Sequence, residues 1–382
     1  MKHKVFDLFC GTGGFSYGLE SSHADFETIL GVDLLGIATQ TFLKNHRAAT
    51  ALTGDIRRIR RSYVAERLAV KPGEISVIIG GPPCQGFSSI RPFRSSKEDD
   101  QRNSLFEEFA SFVNFFRPTA FVLENVVGLA THKGGQTIQV MQECFASLGY
   151  EVDWRILNAA HYGVPQKRER LIMIGCERGG KLSFPAPTHY SDSPTIGFKH
   201  RAKLHRPAID LFGEATELVS ALSVLDAFDD LPPISSGQSA SVYAIEPKND
   251  YQANRRNGSA KLSMHSSTVH TPKMLEIISY SGKNISSIPR NLISSGFSSS
   301  YSRLDATEPA VTITVNFVHP ASNRCIHPIQ DRALTPREGA RLQSFDDTYE
   351  FAGNRTQIVK QIGNAVPPLL GKAIGNSLIE ML

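Results

Sequence analysis

The apolar run at residues 75–79 most constrains what this chain folds into. It is short, rich in β-branched residues and ended by Gly80-Gly81, which is typical of a buried strand in a parallel sheet. Three similar runs occur at 5–9, 28–32 and 120–123. Between them, apolar residues recur at helical spacing, as in Leu105, Phe109, Phe112 and Phe116. This alternation predicts a doubly wound α/β sheet, in which ligands bind beyond the carboxyl ends of the strands.

The following segments continue the pattern. Ile138, Met141, Phe145 and Leu148 predict a helix with Gly149 as its C-cap. The alternation of Val152, Trp154 and Ile156 predicts an edge or antiparallel strand, and 171–174 predicts another. From about Pro185 prolines and serines accumulate and the periodicity fades, so a second domain begins there. A final helix is predicted over 366–378, with Pro367 and Pro368 in its first turn.

Composition excludes several classes of protein. Asp7 interrupts the first apolar stretch and no run of about 18 apolar residues occurs, so neither a signal peptide nor a membrane span is expected. The five cysteines are scattered without metal-ligand spacing, which favours a reducing cytoplasm and predicts no metal. A net charge of +4 permits a polyanionic partner. Residues 248–303 carry eight basic and two acidic side chains, which fits either a solvated surface or a phosphate-binding face.

The first predicted strand leads into a glycine turn, Cys10-Gly11-Thr12-Gly13-Gly14. Ser16 replaces the third glycine of the dinucleotide fingerprint, so a pyrophosphate ligand is disfavoured. Asp33 ends the second predicted strand, where a carboxylate either binds ribose hydroxyls or caps a helix. Asp55 stands before the third candidate strand and is suited to accept a bond from an adenine amino group. Together these features predict an adenosine ligand without a pyrophosphate, and S-adenosylmethionine satisfies that description.

Cys84 follows the run at 75–79 and comes directly after Pro82-Pro83. Each proline fixes its backbone φ angle and removes an N–H donor, so the backbone that leads to the thiol is rigid. The segment is consistent with a nucleophile presented from a strand end or with a buried cysteine that acts as a small hydrophobe. The Pro-Cys pair alone does not decide between them.

Further motifs in register point to one family. They are Gly80-Gly81-Pro82-Pro83-Cys84-Gln85, Glu124-Asn125-Val126, Gln166-Lys167-Arg168-Glu169-Arg170, Arg303-Leu304-Asp305, Pro309-Ala310-Val311-Thr312-Ile313-Thr314, Arg341-Leu342-Gln343-Ser344-Phe345 and Gln361-Ile362-Gly363-Asn364-Ala365-Val366-Pro367. With these motifs the chain resembles the DNA cytosine-5 methyltransferases of the bacterial restriction-modification type, over nearly its whole length. The resemblance implies the Rossmann-like, doubly wound mixed sheet of S-adenosylmethionine-dependent methyltransferases, with a second, smaller, irregular target recognition domain.

The resemblance also assigns catalytic roles. It implies methyl transfer from S-adenosylmethionine to C5 of a flipped-out cytosine in a specific duplex DNA sequence, leaving S-adenosylhomocysteine. Cys84 matches the nucleophile that adds to C6, and Glu124 matches the residue that binds N3 and the exocyclic amine. Arg170 matches the residue that bonds O2. Arg168 is expected to support the loop and a phosphate, and both arginines supply positive charge for thiolate formation.

Cofactor contacts carried over by position lie in the glycine turn, after the second and third strands and in the last motif. They are Phe9, Gly11, Thr12, Gly14, Asp33, Leu34, Asp55, Ile56, Pro83, Leu105, Asn364 and Ala365. Leu34 departs from several relatives, which place an aromatic ring against adenine. We therefore expect looser cofactor binding.

The domain organisation implied is a catalytic and cofactor-binding domain of 1–187 plus 356–382 and a target recognition domain of 188–355. DNA reading is expected in 248–303, and the segment 86–103, with Arg91, Arg94, Lys97 and Arg102, is expected to close over the flipped base. The expected partners are double-stranded DNA and a linked restriction endonuclease. The chain is expected to be a cytoplasmic monomer.

Three other functions compete. A transfer-RNA cytosine methyltransferase keeps the same catalytic motifs, but the Cys-Phe-Thr segment of that branch is absent here. A catalytically dead DNA-binding homologue is disfavoured by intact Cys84, Glu124 and Arg170. A NAD-dependent oxidoreductase is disfavoured by Ser16 and leaves the cysteine segment unexplained.

Overall fold

The computed structural model of the chain describes residues 2–83, 97–191, 218–293 and 296–382, with the backbone alone described for 97–104. Its centre is a mixed sheet of seven strands. These strands are β1 (His3–Leu8), β2 (Phe26–Asp33), β3 (Thr50–Thr53), β4 (Val77–Gly80), β5 (Ala120–Val126), β6 (Tyr150–Asn158) and β8 (Glu169–Glu177). The order across the sheet is β3-β2-β1-β4-β5-β8-β6. The first five run parallel, whereas β8 is antiparallel to both β5 and β6.

Helices alternate with these strands as the apolar periodicity predicts. In the first half they are α1 (Gly14–Ser22), α2 (Gly36–Asn45), α3 (Arg61–Leu68), α4 (Lys97–Phe116) and α5 (Gln136–Ser147). Strand β3 was not predicted, because it is a short, half-exposed edge strand without an apolar β-branched run. Asp55 therefore directly follows a strand, and the third strand along the chain is β3 rather than the run at 75–79.

The rest of the chain has short elements. The strands are β7 (Gln166–Lys167), β9 (His189–Tyr190), β10 (Val219–Ser220), β11 (Ser302–Arg303), β12 (Ala310–Val311) and β13 (Arg324–Ile326). The helices are α6 (Val224–Phe228), α7 (Asp250–Arg256), α8 (Pro272–Ser279), α9 (Pro336–Leu342), α10 (Arg355–Asn364) and α11 (Pro368–Leu378). The predicted doubly wound mixed sheet and its irregular second part are both confirmed.

The last helix returns to the sheet domain. Leu370, Ile374 and Leu378 of α11 pack in the same core as Val5 of β1 and Phe15 of α1. The two helices approach so closely that a Cβ on Gly18 would lie 2.2 Å from the carbonyl oxygen of Pro368. Glycine is required at that contact.

The second part has its own core, to which residues from Val224 to Ala365 contribute. Its polar centre is formed by three fully buried arginines, Arg332, Arg337 and Arg341, which pair with Glu338, Asp347 and Asp230. Buried charges are tolerated only when they are paired in this way. Val359 and Ile362 of α10 also pack in this core, whereas α11 packs mainly in the core of the sheet, with its partly buried Leu369 against this one. The exact domain boundary stays a prediction.

In the described part of the chain, no helix is long and apolar enough to cross a membrane.

Candidate active site

The sheet register brings the predicted functional segments to one edge. Leu8 at the end of β1 pairs with Gly80 at the end of β4, and Gly80 pairs with Leu123 of β5. The glycine turn after Leu8, the segment 81–83 after Gly80, and Glu124 after Leu123 therefore lie side by side. This is the edge at which ligands bind in open α/β sheets.

Glycines allow close packing at this edge. A Cβ on Gly80 would lie 2.4 Å from the carbonyl oxygen of Leu8, and a Cβ on Gly81 would lie 3.1 Å from Oε2 of Glu124. The amide of Asn125 donates to the carbonyl oxygen of Pro82 over 3.0 Å, so the proline segment is tied to the strand that carries Glu124. Cys84 itself lies outside the described residues, and the exposed Pro83 is the last described residue before it.

Glu124 and Arg170 form an ion pair. Nε of Arg170 lies 2.8 Å from Oε1 of Glu124, and each side chain is 14% exposed. The antiparallel pairing of β5 with β8 produces this contact, because Val126 lies opposite Arg170. A second bond, from Arg170 to the carbonyl oxygen of Glu169 over 2.7 Å, fixes the guanidinium. The carboxylate is thereby oriented while part of both groups still faces the crevice.

Arg168 is the second guanidinium of the site and is 2% exposed. Burial, and then the nearby charge of Arg170, lower the pKa of Arg168 well below its ordinary value, while Glu124 opposes the shift. Among the described residues, Nε of Arg168 has no hydrogen-bond partner. Two guanidinium groups face one carboxylate, so the local charge is positive, which favours a thiolate nearby.

Gln166 anchors the arginine segment, a role that its place in the motif did not reveal. It is fully buried, and its amide nitrogen donates to the carbonyl oxygen of Leu342 over 3.1 Å and to Oε1 of Gln343 over 3.0 Å. Its amide oxygen accepts from the backbone N–H of Ile313 over 2.9 Å. Gln343 in turn donates to the carbonyl oxygen of Ile362 over 2.7 Å. The second core therefore positions the two arginines, through contacts between segments far apart in sequence.

The glycine turn has the backbone that its sequence requires. Phe9, Gly11 and Gly13 have φ values of 61°, 52° and 84°, in the left-handed region that favours glycine. Apart from its chain neighbours, no atom of the described residues lies within 4 Å of the position of a Cβ on Gly11, so this part of the structure leaves the turn open on that side. A Cβ on Gly14 would lie 2.6 Å from the carbonyl oxygen of Val366, and the preceding residues Asn364 and Ala365 are thereby brought to the turn.

Asp33 lies against this turn. Its carboxylate accepts from the backbone N–H of Gly11 over 2.9 Å and from that of Leu35 over 2.8 Å. Burial raises the pKa of Asp33 above its ordinary value, and these backbone hydrogen bonds oppose the rise. Thr12 is 3% exposed, and its hydroxyl has no partner among the described residues. An open glycine turn, an oriented carboxylate and a buried hydroxyl without a partner fit an adenosine cofactor such as S-adenosylmethionine.

The remaining predicted cofactor residues differ in their surroundings. Leu34 is 66% exposed, Ile56 is buried and Leu105 is half-buried. The carboxylate of Asp55 already accepts from the guanidinium of Arg57 at 2.5 Å and caps the turn that follows. An adenine amino group would have to share that carboxylate with Arg57. Within the described ranges, no cluster of three or more histidine, cysteine or acidic residues is arranged to hold a metal ion.

A model of the C-5 cytosine-specific DNA methylase family matches residues 3–380. The chain belongs to this family. It is 32% identical to the Type II methyltransferase M.AgeI of Thalassovita gelatinovora, over 98% of this chain and 99% of that protein. It is 35% identical to the Type II methyltransferase M.DdeI of Desulfomicrobium norvegicum, over 98% of this chain and 88% of that protein. These matches confirm the predicted resemblance to restriction-modification methyltransferases.

The solved structures agree on the fold of this DNA cytosine-5 methyltransferase. A DNA modification methyltransferase encoded within an E. coli prophage superposes with a TM-score of 0.73 at 24% identity, covering 100% of this chain and 99% of that one. DNMT2 of Spodoptera frugiperda superposes with a TM-score of 0.59 at 16% identity, covering 97% of this chain and 98% of that one. At these identities the likeness concerns the fold alone.

In the methylase's basic region, 248–303, fewer basic side chains are unpaired than the composition of the region indicates. Lys248, Arg255, Arg256 and Arg303 are ion-paired with Asp229, Asp346, Asp230 and Asp331. Lys261, Lys273, Lys283 and Arg290 are exposed. Lys283 also lies 3.8 Å from the carboxylate of Asp305, so five of the eight cations are ion-paired within the described residues.

Proposed function

We propose that this chain transfers a methyl group from S-adenosylmethionine to C5 of a cytosine flipped out of a specific duplex DNA sequence, through a covalent bond between Cys84 and C6. The family fixes the coarser activity, methylation of cytosine C5 in DNA. The observation that carries the finer mechanism is the Glu124–Arg170 pair beside the proline segment that leads to Cys84.

The chemistry requires such a pair. Cytosine C5 is a poor nucleophile, and a thiolate that adds to C6 converts the ring into an enamine that attacks an electrophilic methyl group. Glu124 is placed to bind N3 and the exocyclic amine, where a shared proton stabilises the ring as the thiolate adds. Arg170 holds this carboxylate at 2.8 Å and is placed to bond O2. Arg168 adds the positive charge that favours the thiolate of Cys84.

The cofactor would lie at the glycine turn, where the carboxylate of Asp33, held by the backbone N–H of Gly11, would bind the ribose hydroxyls. When bound there, S-adenosylmethionine supplies the activated methyl group. The residues Phe9, Thr12, Gly14, Asn364 and Ala365 surround the same turn. The protein's part is to hold the two substrates in line, and positioning of this kind lowers barriers by several kcal/mol.

A cytosine stacked in a duplex cannot reach Glu124 at the sheet edge, so the base must rotate out of the helix at a cost of a few kcal/mol. We assign the holding and reading of DNA to the second part, whose exposed cations Lys261, Lys273, Lys283 and Arg290 suit phosphate contacts. Pairing with a restriction endonuclease and action as a cytoplasmic monomer are parts of the same proposal.

The experiment is methyl transfer from S-adenosylmethionine carrying a radioactive methyl group to duplex DNA of mixed sequence, with nucleoside analysis of the product. The expected label is 5-methyldeoxycytidine, and Glu124→Gln should lower the rate by about 100-fold or more. Glu143→Gln, at an exposed position on α5, is the matched control and should keep the wild-type rate. Label on a cytosine amino group, or on RNA only, would overturn the proposal.

A further inference from the structure

A chain of four polar side chains lies beneath the glycine turn. It runs from Asp7 on β1 through Ser16 on α1 to His46 after α2, and back to Glu20 on α1. Asp7, Ser16 and His46 are 2%, 0% and 3% exposed. Nothing in the proposed mechanism uses these groups, yet burying them is costly unless the contacts serve the structure or the site.

The contacts of His46 connect the glycine turn to α1. Nδ1 lies 2.9 Å from Oε2 of Glu20, and Nε2 lies 3.2 Å from the carbonyl oxygen of Gly13. Nε2 is also 3.2 Å from the hydroxyl of Ser16, which donates to Asp7 over 2.6 Å and lies 3.2 Å from the same carbonyl oxygen of Gly13. Both ring nitrogens therefore have polar partners, and the partners of Nε2 belong to the turn and to the first turn of α1.

The two carboxylates beside the ring differ in their pKa values. Burial opposes ionisation of Glu20, but its hydrogen bond with His46 keeps its pKa below the ordinary value. A backbone bond from Thr28 to Glu20 over 2.8 Å acts in the same direction. Burial raises the pKa of Asp7 to about 7, and the hydrogen bond from Ser16 opposes that rise. His46 thus lies between one carboxylate whose pKa is lowered and one whose pKa is raised.

The ring is also fixed by packing. It stacks on Phe42 with centroids 4.5 Å apart and meets the edge of Tyr17 at 6.4 Å. A Cβ on Gly13 would lie 2.7 Å from Nε2 of His46, so the imidazole is in direct contact with the turn. The turn carries Gly11 and Gly14 on either side of this contact.

We propose that His46 is a positioning residue for cofactor binding. Its Nε2 contacts the carbonyl oxygen of Gly13 and so keeps the turn of residues 11–14, in which Gly11 and Gly13 have positive φ, in the open conformation that receives S-adenosylmethionine. Glu20 binds Nδ1 and orients the ring, and Ser16 connects it to Asp7. This inference rests on the proposed cofactor site.

Two substitutions in the full chain separate hydrogen bonding from packing. His46→Phe keeps a ring to stack on Phe42 but removes both ring nitrogens, whereas His46→Gln places a polar amide near the Nε2 position. Calorimetric titration with S-adenosylmethionine and with S-adenosylhomocysteine gives the affinities, and steady-state kinetics give the KM for each substrate and kcat. His23→Phe, an exposed histidine at the end of α1, is the matched control and should bind as the wild type does.

The expected result for His46→Phe is an affinity for both ligands about tenfold weaker, because the polar contact between Nε2 and the turn is lost. The KM for S-adenosylmethionine should rise by more than any fall in kcat, the KM for DNA should not change, and His46→Gln should recover most of the affinity. Equal affinities in His46→Phe and wild type, or no recovery in His46→Gln, would overturn the inference.

If His46→Phe does not fold, Glu20→Gln provides the test, because it removes the carboxylate that orients the ring through Nδ1 and leaves the ring in place. It should weaken binding of both ligands several-fold, and unchanged affinity would overturn the inference. A wild-type chain that methylates DNA while both variants bind normally contradicts only the role of His46. A wild-type chain that does not bind S-adenosylmethionine contradicts the proposed cofactor site instead.

Discussion

Nε of Arg170 lies 2.8 Å from Oε1 of Glu124, and the two side chains are equally exposed at 14%. The two residues lie on the antiparallel strands β5 and β8. Glu124 comes one residue after Leu123, which pairs with the last residue of β4. The sheet thus fixes the direction of a carboxylate that would otherwise rotate freely at a strand end. The same carboxylate lies within reach of the backbone that leads to Cys84, through Gly81.

Arg170→Lys should lower kcat by about 100-fold, because an ammonium group cannot replace the flat, multiple-donor contact that orients Glu124 and bonds the base. Rates at saturating DNA and S-adenosylmethionine measure the effect. Arg178→Lys, exposed just beyond β8, should be neutral. A kcat within threefold of wild type for Arg170→Lys would contradict the role given to Arg170.

Asn125→Ala should lower kcat about tenfold and leave the affinity for S-adenosylmethionine unchanged, because the 3.0 Å bond to Pro82 holds the segment that presents Cys84. Single-turnover kinetics and cofactor titration separate the two quantities. If cofactor affinity falls while the single-turnover rate stays normal, Asn125 supports the cofactor site rather than the nucleophile.

Leu34→Tyr should tighten S-adenosylmethionine binding several-fold, since the 66% exposed Leu34 follows the ribose-binding Asp33 and an aromatic ring there would stack on adenine. Leu35→Tyr is the neighbouring control, at 59% exposure. Equal gains in both variants would mean that the effect is not specific to the position of Leu34.

Acid should destabilise the second part of the molecule between about pH 6.5 and 4. Burial lowers the pKa of His327 from its usual value to about 4, and also lowers the pKa values of His265 and His270. In this pH range the unfolded chain therefore binds protons that the folded chain does not bind. The free energy of unfolding falls as pH falls, by about 3 kcal/mol at pH 4 for His327 alone. Glu338, with a pKa of about 2, keeps most of its contribution in this window, because that contribution is lost between its ordinary pKa of 4.5 and about 2.

Urea unfolding at a series of pH values measures this dependence. His327→Asn places an oxygen where Nδ1 accepts from the backbone N–H groups of Ile329 and Gln330, so it preserves that contact without the titration. Its stability should decline less steeply with acid. The same slope in variant and wild type would show that His327 does not titrate as expected.

The strand ends and the glycine turn could be predicted from the sequence because their signals are local. The run before Gly80-Gly81 and the helix of Phe109 and Phe116 need only nearby residues to specify them. The pairing of Glu124 with Arg170 was not predictable from spacing, because it depends on the antiparallel register of β8 against β5.

Long-range pairing also explains why the sequence alone did not show which basic residues of 248–303 are ion-paired. Arg255 appears in the sequence as a free cation near the start of 248–303, but the fold brings it to Asp346, whose other oxygen accepts from Tyr17 at 2.7 Å. Tyr349, three residues on, donates to the carbonyl oxygen of Thr12 in the glycine turn. A charge count cannot distinguish such structural cations from exposed ones such as Lys261.

Covalent capture tests the role of Cys84 most directly, with duplex DNA of mixed sequence synthesised with 5-fluorodeoxycytidine in place of every deoxycytidine. Fluorine at C5 blocks release of the enzyme after methyl transfer, so wild type with S-adenosylmethionine should form an adduct that survives denaturing electrophoresis. Cys84→Ser should form none, and Cys144→Ser, at a half-buried cysteine, should trap as wild type does. Equal trapping by Cys84→Ser, or methylation by wild type without any adduct, would contradict the assignment of Cys84 as the nucleophile.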